Sequence, residues 1–248
     1  MESKFKLPTE TVELPSKGLL YPEGHPLAAG SIEMKYMTAK EEDILTNQNY
    51  IKNGTVIDKL LQSMIITEFN YDDLLIGDKN AIMVAARILS YGKDYEFNYD
   101  GYPQNVDLST MENKELDESL YTRGQNEFTF TLPHTSNVVT FKVLTHGDEK
   151  KIDQEIKGLQ KINKDNISEV TSRLKYLITS VNGSSDKKDV RDFVEQGLLA
   201  RDARALREEY TRISPDINLK FTYTDGTGAE KEAALPIGVN FFWPDAAL

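Results

Sequence analysis

Forty acidic side chains and three histidines are what this 248-residue chain offers for proton transfer or metal binding, because it contains no cysteine. A thiolate zinc site, a cysteine nucleophile and a disulfide framework are excluded together. Acid–base catalysis and glycoside hydrolysis need two carboxylates held at a fixed separation. Glu41-Glu42-Asp43 and Glu208-Glu209 are dense enough, but each falls on the polar side of an expected helix, where density carries no spacing. His25, His134 and His146 fall in three separate expected loops and form no ligand set. The chain has no phosphate loop, no dinucleotide fingerprint and no nucleophile elbow. Asp225-Gly226-Thr227-Gly228 has the letters of a catalytic Asp-Thr-Gly, but Gly226 interrupts it. As a calcium loop it lacks the spaced ligands and the closing glutamate, so a hairpin turn is expected. The sequence predicts no catalytic residue, no metal and no cofactor, hence a protein that binds rather than catalyses.

The charge narrows what it binds. With 29 basic against 40 acidic side chains the net charge is −11, which repels a phosphate backbone and forgoes the counterion release that drives nucleic-acid binding. Lys150, Lys151, Lys157, Lys161 and Lys164 alternate with Asp148, Glu149, Asp153 and Glu155, the pattern of a solvated helix. No apolar run reaches the length of a secretory signal or a membrane span, so neither export nor membrane insertion is expected.

The elements that must carry any binding surface follow from periodicity. Residues 6–26 hold four prolines, with Ser16, Gly18 and Gly24 near them, and read as an arm with a short strand at Thr11–Leu14, lying over the body. Ile32, Met34 and Tyr36 alternate with polar residues as a half-buried strand. Thr38 and Glu41 have the form of a capping box, opening a helix to about Leu45. Val56, Ile57, Leu60, Leu61, Met64 and Ile65 fall at i, i+3, i+4 spacing, the mark of an amphipathic helix. Asp78 is placed to cap the next helix, which Gly92 ends before a strand with Tyr95, Phe97 and Tyr99. Residues 100–125 read as a connection with a short helix near Met111–Leu120. A hairpin with the loop Pro133–Asn137 follows, then two helices between Asp148 and Asn182, the second with Val170, Leu174, Leu177 and Ile178 on one face. Helices over Asp186–Glu195 and Asp202–Ile213 and a strand over Ile217–Thr224 complete the body.

Sliding the sequence past itself by 124 residues aligns Phe69, Leu74, Leu75, Asp78, Ala81, Ser90, Phe97 and Tyr99 with identical residues at 193–223, where chance alone supplies about two such matches. Two readings stand, a duplication or two ordinary helix-to-strand units. The predicted class is α+β, helix-dominated with small antiparallel sheets and hairpins, and with room for two related halves. The expected divisions are an N-terminal arm over 1–30, a first half over 31–125 and a second half over 126–248 that ends in an aromatic tail.

That tail, Leu235-Pro236-Ile237-Gly238-Val239-Asn240-Phe241-Phe242-Trp243-Pro244, puts three rings in a row, including the only tryptophan. As a closing segment it would pack into the core; as a docking peptide it would enter a partner's groove. Bare rings invite aggregation, which favours the core.

Leu14-Pro15-Ser16-Lys17-Gly18-Leu19-Leu20-Tyr21-Pro22, then Ile32-Glu33-Met34-Lys35-Tyr36-Met37-Thr38 with Glu41-Glu42, resembles the opening of the baseplate hub assembly proteins of T-even-type contractile-tailed bacteriophages. Leu75-Ile76-Gly77-Asp78, Arg87-Ile88-Leu89-Ser90-Tyr91-Gly92, Leu235-Pro236 and Phe241-Phe242-Trp243-Pro244 resemble later landmarks in the same order. The resemblance implies a non-enzymatic factor that helps build the baseplate hub by binding hub or tape-measure subunits in the host cytoplasm. A permanent subunit of the virion baseplate is the alternative, and a cell-wall hydrolase a more distant one. It implies neither nucleic acid nor membrane as a partner and leaves the oligomeric state open. Relatives often carry Cys-x-x-Cys beside the Phe-x-Tyr strands; here those places hold Tyr99-Asp100-Gly101-Tyr102 and Tyr223-Thr224-Asp225-Gly226, so packing has to hold the turns. The candidate partner-binding residues are Leu14, Pro15, Gly18 and Tyr21 in the arm and Phe241, Phe242, Trp243 and Pro244 in the tail.

Overall fold

Two strands, a set of helices and a closing hairpin follow one another twice along the chain, the second time with an added strand, helix and π turn. The structure is a computed structural model that describes residues 8–162 and 168–242. In the first unit, β1 (Thr9–Glu13) pairs antiparallel with β2 (Ser31–Lys35), helices α1 (Ala39–Leu45), α2 (Gln48–Lys52) and α3 (Val56–Met64) follow, and α4 (Ile76–Tyr91) leads into the hairpin of β3 (Asp94–Tyr99) and β4 (Tyr102–Asp107). In the second, β5 (Phe128–Thr131) pairs with β6 (Val138–Phe141), α5 (His146–Ile162) and α6 (Glu169–Leu177) follow, and β7 (Ile178–Val181) joins β6. Then α7 (Lys187–Asp192), a π turn at Phe193–Gly197 and α8 (Ala200–Ile213) lead into the hairpin of β8 (Lys220–Thr224) and β9 (Glu230–Ala234). The class is α+β, with sheets of two and three strands.

The correspondence reaches single bonds. Lys35 pairs with Glu41 at 2.8 Å and Lys142 with Asp148 at 2.7 Å, each bridging the end of a strand to the first turn of the next helix. In each case the carboxylate also accepts from the threonine three residues before it, Thr38 or Thr145. Met34 bridges Ile65 directly after α3, and Phe141 pairs with Ile178 directly after α6. Both pairs form because the helix ends at a residue with extended backbone, φ −73° and ψ 130° at Ile65, φ −77° and ψ 126° at Ile178.

Two apolar clusters fill the molecule. One takes side chains from β2, α3 and α4 together with Phe221, Leu235, Phe241 and Phe242; the other lies between the β5–β6–β7 sheet, α6 and α8. Leu14, Leu20, Tyr21 and Leu27 belong to the first cluster, so the arm lies inside the body rather than over it. The reason is the hairpin: β1 pairs with β2 through all five of its residues and draws the intervening loop under α4. The last two hairpins meet ring on ring, Phe97 with Phe221 at 5.0 Å and Tyr99 with Tyr223 at 4.9 Å between centroids, so that residues in equivalent places face each other. The region 100–125 carries β4 and two short 3₁₀ turns, Leu108–Thr110 and Glu118–Leu120, in place of the expected helix; three of its residues, Asp100, Gly101 and Gly124, have positive φ, and a strand partner was available in β3.

The units join head to tail. Leu75 bridges Thr145, the His146 amide donates to the Leu74 carbonyl at 2.7 Å, and the Ile76 amide to the Leu144 carbonyl at 3.2 Å. Gly77 permits a second approach, since a Cβ there would lie 1.8 Å from the Pro215 carbonyl oxygen. The leucines equivalent to Leu74 and Leu75 are Leu198 and Leu199; Leu75 is buried in the junction, whereas Leu199 is 53% exposed.

Candidate functional site

Asp78 does not occupy the cap of α4, which is Leu75; it sits in the first turn, and its carboxylate bonds to the arm. Oδ1 accepts from the Ser16 amide at 2.9 Å, and Oδ2 accepts from the Ser16 hydroxyl and the Tyr21 hydroxyl, both at 2.7 Å. The Tyr21 oxygen in turn accepts from the Leu75 amide at 3.0 Å, which satisfies a donor at the start of α4. The expected cap at Asp78 is thus a lock between helix and arm, because the buried loop carries polar groups that only a carboxylate at that depth can satisfy. Burial pushes the Asp78 pKa up to about 6, against the donors from Ser16 and Tyr21 that favour the anion, while Asp216 adds to the rise. Desolvation and the Asp78 charge push the Tyr21 hydroxyl up as well, so it remains a donor.

The arm residues nominated from sequence converge on this lock. Leu14, Pro15, Gly18 and Tyr21 are all buried. Gly18 has φ +73°, and a Cβ there would stand 2.4 Å from the Ala28 carbonyl oxygen, so the loop closes on a position open only to glycine. The tail residues converge on the other end of α4. Phe241 and Phe242 are fully buried, Phe241 edge-on to Tyr95 at 4.9 Å, and Tyr95 donates to the Pro236 carbonyl at 3.0 Å. The packing alternative describes these two rings; Trp243 and Pro244 lie outside the described residues. The six nominated residues that are described therefore build the frame and present no free surface.

Asp202 repeats the lock in the second unit. It stands in the first turn of α8 and accepts from the His134 amide at 2.9 Å, the Thr135 amide at 3.1 Å and the Thr135 hydroxyl at 2.7 Å. Burial works against the anion, but these donors prevail and hold its pKa below the usual carboxylate value. The gripped loops both open on Leu-Pro, Leu14-Pro15 and Leu132-Pro133. His134 thus serves through its backbone, and His25 caps a 3₁₀ turn by accepting from the Leu27 amide at 3.2 Å. His146, expected in a loop, is the first residue of α5, wedged between Tyr71 and Lys79 where the units join. Burial and the neighbouring Lys79 lower its pKa and favour the neutral ring, while Asp58 and Asp72 oppose them.

The turns where relatives are expected to carry cysteine pairs close by other means. Asp100 and Gly101 take positive φ, the conformation of a tight hairpin turn, and the Asp225 carboxylate accepts from Thr227 and the Ala229 amide and pairs with Lys231 at 2.6 Å. Among the described residues, no group of three histidines or carboxylates is arranged to hold a metal ion, and no helix is long and apolar enough to cross a membrane.

Two surface features went unread in the sequence. A groove of about 680 Å³ runs between β3 and the segment from Pro236 to Phe241. A second depression, of about 480 Å³, lies between α5, α6, β7 and α7 and is rich in lysine. Neither has a local sequence signal, since each is assembled from segments far apart in the chain.

With this frame in place, comparison with known families is decisive: the model of the family described as T4 bacteriophage base plate protein matches residues 7–243. The chain belongs to that family. The match runs from the arm to the tail, so both locks and both units of this base plate family member lie within the matched residues. No curated protein and no solved structure matches the chain.

Proposed function

We propose that this base plate family member is a non-enzymatic assembly factor for the baseplate hub, which binds hub or tape-measure subunits while the tail is built in the host cytoplasm. The observation that carries the proposal is the family match over residues 7–243. The use made of the buried carboxylates supports it: Asp78, Asp202, Glu41 and Asp148 are each engaged by threonine, serine, tyrosine, lysine or backbone donors within the frame, so they serve architecture. The acidic surface fits a protein partner better than the genome.

A second reading, a permanent subunit of the virion, is favoured by the family's description as a base plate protein. Quantitative detection in purified particles separates the two. Presence at a fixed ratio to known baseplate subunits supports the permanent subunit, and absence from particles of a chain required for tail formation supports the assembly factor.

A further inference from the structure

We propose that the depression between α5, α6, β7 and α7 docks an acidic segment of a partner protein, with carboxylates as the recognised groups. It deepens the reading of the chain as a binder of tail proteins and rests on that reading. Lys142, Lys151, Lys175, Lys187 and Arg191 line the depression, and Asp148 is the one carboxylate among the lining residues. Five cations around one depression run against a chain whose net charge is −11. Lys142 is spoken for by Asp148, Lys175 by Glu195 at 2.5 Å and Glu155 at 3.4 Å, and Arg191 by Glu155 at 3.3 Å. Lys151 and Lys187 have no ion pair among the described residues, which leaves two exposed ammonium groups facing the same volume. The inner cations are held in place by internal pairs and the outer two are available, the arrangement that recognises an incoming anion at low ordering cost.

The first unit supplies an internal control. Because Met34–Ile65 corresponds to Phe141–Ile178, Lys175 stands where the first unit has Gln62, and Thr179 where it has Ile66. The depression at that place in the first unit, about 240 Å³, is lined by Gln62, Ile65, Ile66 and neighbours without a single cation. Lys142 has its counterpart in Lys35, but the fold does not require the cation at Lys175. Two of the five lining cations, Lys187 and Arg191, arrive on an insertion: Phe69 follows Ile65 after four residues, whereas Phe193 follows Ile178 after fifteen, and the added chain forms α7 with Lys187, Lys188 and Arg191. A repeated unit that has gained a basic helix beside a lysine-lined hollow has gained a site for an anion. The cations lining the hollow complement a carboxylate-bearing segment, and for a chain that works by binding tail proteins that segment belongs to a protein partner.

The test uses the full chain and a short fluorescently labelled polyglutamate peptide, with polyglutamine and oligothymidylate of equal length as comparators, read by anisotropy at low and high salt. Polyglutamate is expected to bind and polyglutamine not, with affinity falling as salt rises. The triple variant Lys151→Gln, Lys187→Gln and Arg191→Gln should weaken binding about tenfold or more, while Lys52→Gln with Lys220→Gln, on other faces, leaves it unchanged. The single change Lys187→Glu, at an exposed site on α7, gives the same direction of effect if the triple variant folds poorly. Absence of polyglutamate binding, equal binding by the variants, or tighter binding of oligothymidylate would overturn the proposal. Loss of the peptide site with capture of tail proteins intact removes the pocket alone, and the reverse outcome removes the assembly reading alone.

Discussion

Asp78 and Asp202 stand 124 residues apart in sequence and occupy the same position in two copies of one device, the first turn of the last helix of each unit, each gripping a Leu-Pro loop through three donors. The donors differ in kind. Asp78 takes two hydroxyls and one amide, Asp202 one hydroxyl and two amides, and only Asp78 has a second carboxylate, Asp216, near enough to raise its pKa.

The first lock should be a large term in stability. Asp78→Ala leaves the Ser16 amide, the Ser16 hydroxyl and the Tyr21 hydroxyl buried without their acceptor, at about 1–3 kcal/mol each and not fully additive. A loss of about 4 kcal/mol by urea denaturation is expected. A loss below about 1 kcal/mol would show that the arm is held by packing alone.

The two aspartates should differ in the sign of their pH dependence. Asp78 has its folded pKa raised to about 6 from 3.8, so its contribution is fully present below about pH 4 and is lost as pH rises towards 6 and past it. Asp202 has its folded pKa lowered, so its contribution is present above the ordinary carboxylate pKa and is lost as pH falls below it. Unfolding free energies of the wild type and Asp78→Asn, measured from pH 4.5 to 7, should diverge against the wild type by about 2–3 kcal/mol, and those of Asp202→Asn should show no such trend in that window. A flat difference for Asp78→Asn would contradict the burial argument.

The approach of the units depends on Gly77. Gly77→Ala forces a Cβ to within 1.8 Å of the Pro215 carbonyl unless the backbones separate. The expected cost is about 3 kcal/mol or more, with hydrogen exchange rising first at the Ile76 and His146 amides of the junction. Gly158→Ala in α5, where a Cβ meets open space, is the control and should be neutral or slightly stabilising.

The tail rings should behave as core. Phe241→Ala should lower stability by about 3–5 kcal/mol, because Phe241 is fully buried against Tyr95 and Phe242. Unchanged stability with lost partner binding would return Phe241 to the interface.

Periodicity in the sequence located most of the helices and the hairpin at 128–141, because a buried face repeats every three to four residues in a helix and every two in a strand. The capping box at Thr38 and Glu41 was legible for the same reason, being a local bond. Ile178 was not: its spacing continued the face of α6, but the chain leaves the helix there to pair with Phe141, a partner 37 residues away that no local pattern announces. The fixed shift of 124 catches the part of the structural correspondence that includes Asp78 and misses the rest, because Leu14 and Leu132 are 118 apart, Lys35 and Lys142 are 107 apart, and Ile65 and Ile178 are 113 apart. A long loop in the first hairpin, a stretch six residues longer from Lys142 to Ile178 than from Lys35 to Ile65, and the inserted α7 after Ile178 move the register along the chain. The candidate residues of the arm and tail were legible as special but not as interior, since Pro and Gly mark a turn without saying how deep it lies. The basic depression was illegible altogether, its cations coming from a strand end and three helices.

The central claim, that the chain works by binding other tail proteins, is tested most directly by affinity capture of the full chain co-expressed with the hub and tape-measure proteins of the same phage, followed by mass spectrometry of what is retained. The account predicts retention of a hub or tape-measure subunit in a defined ratio, with no tail protein captured by an Asp78→Ala, Asp202→Ala chain whose frame is unlocked. Retention of no tail protein by the folded wild-type chain would contradict it.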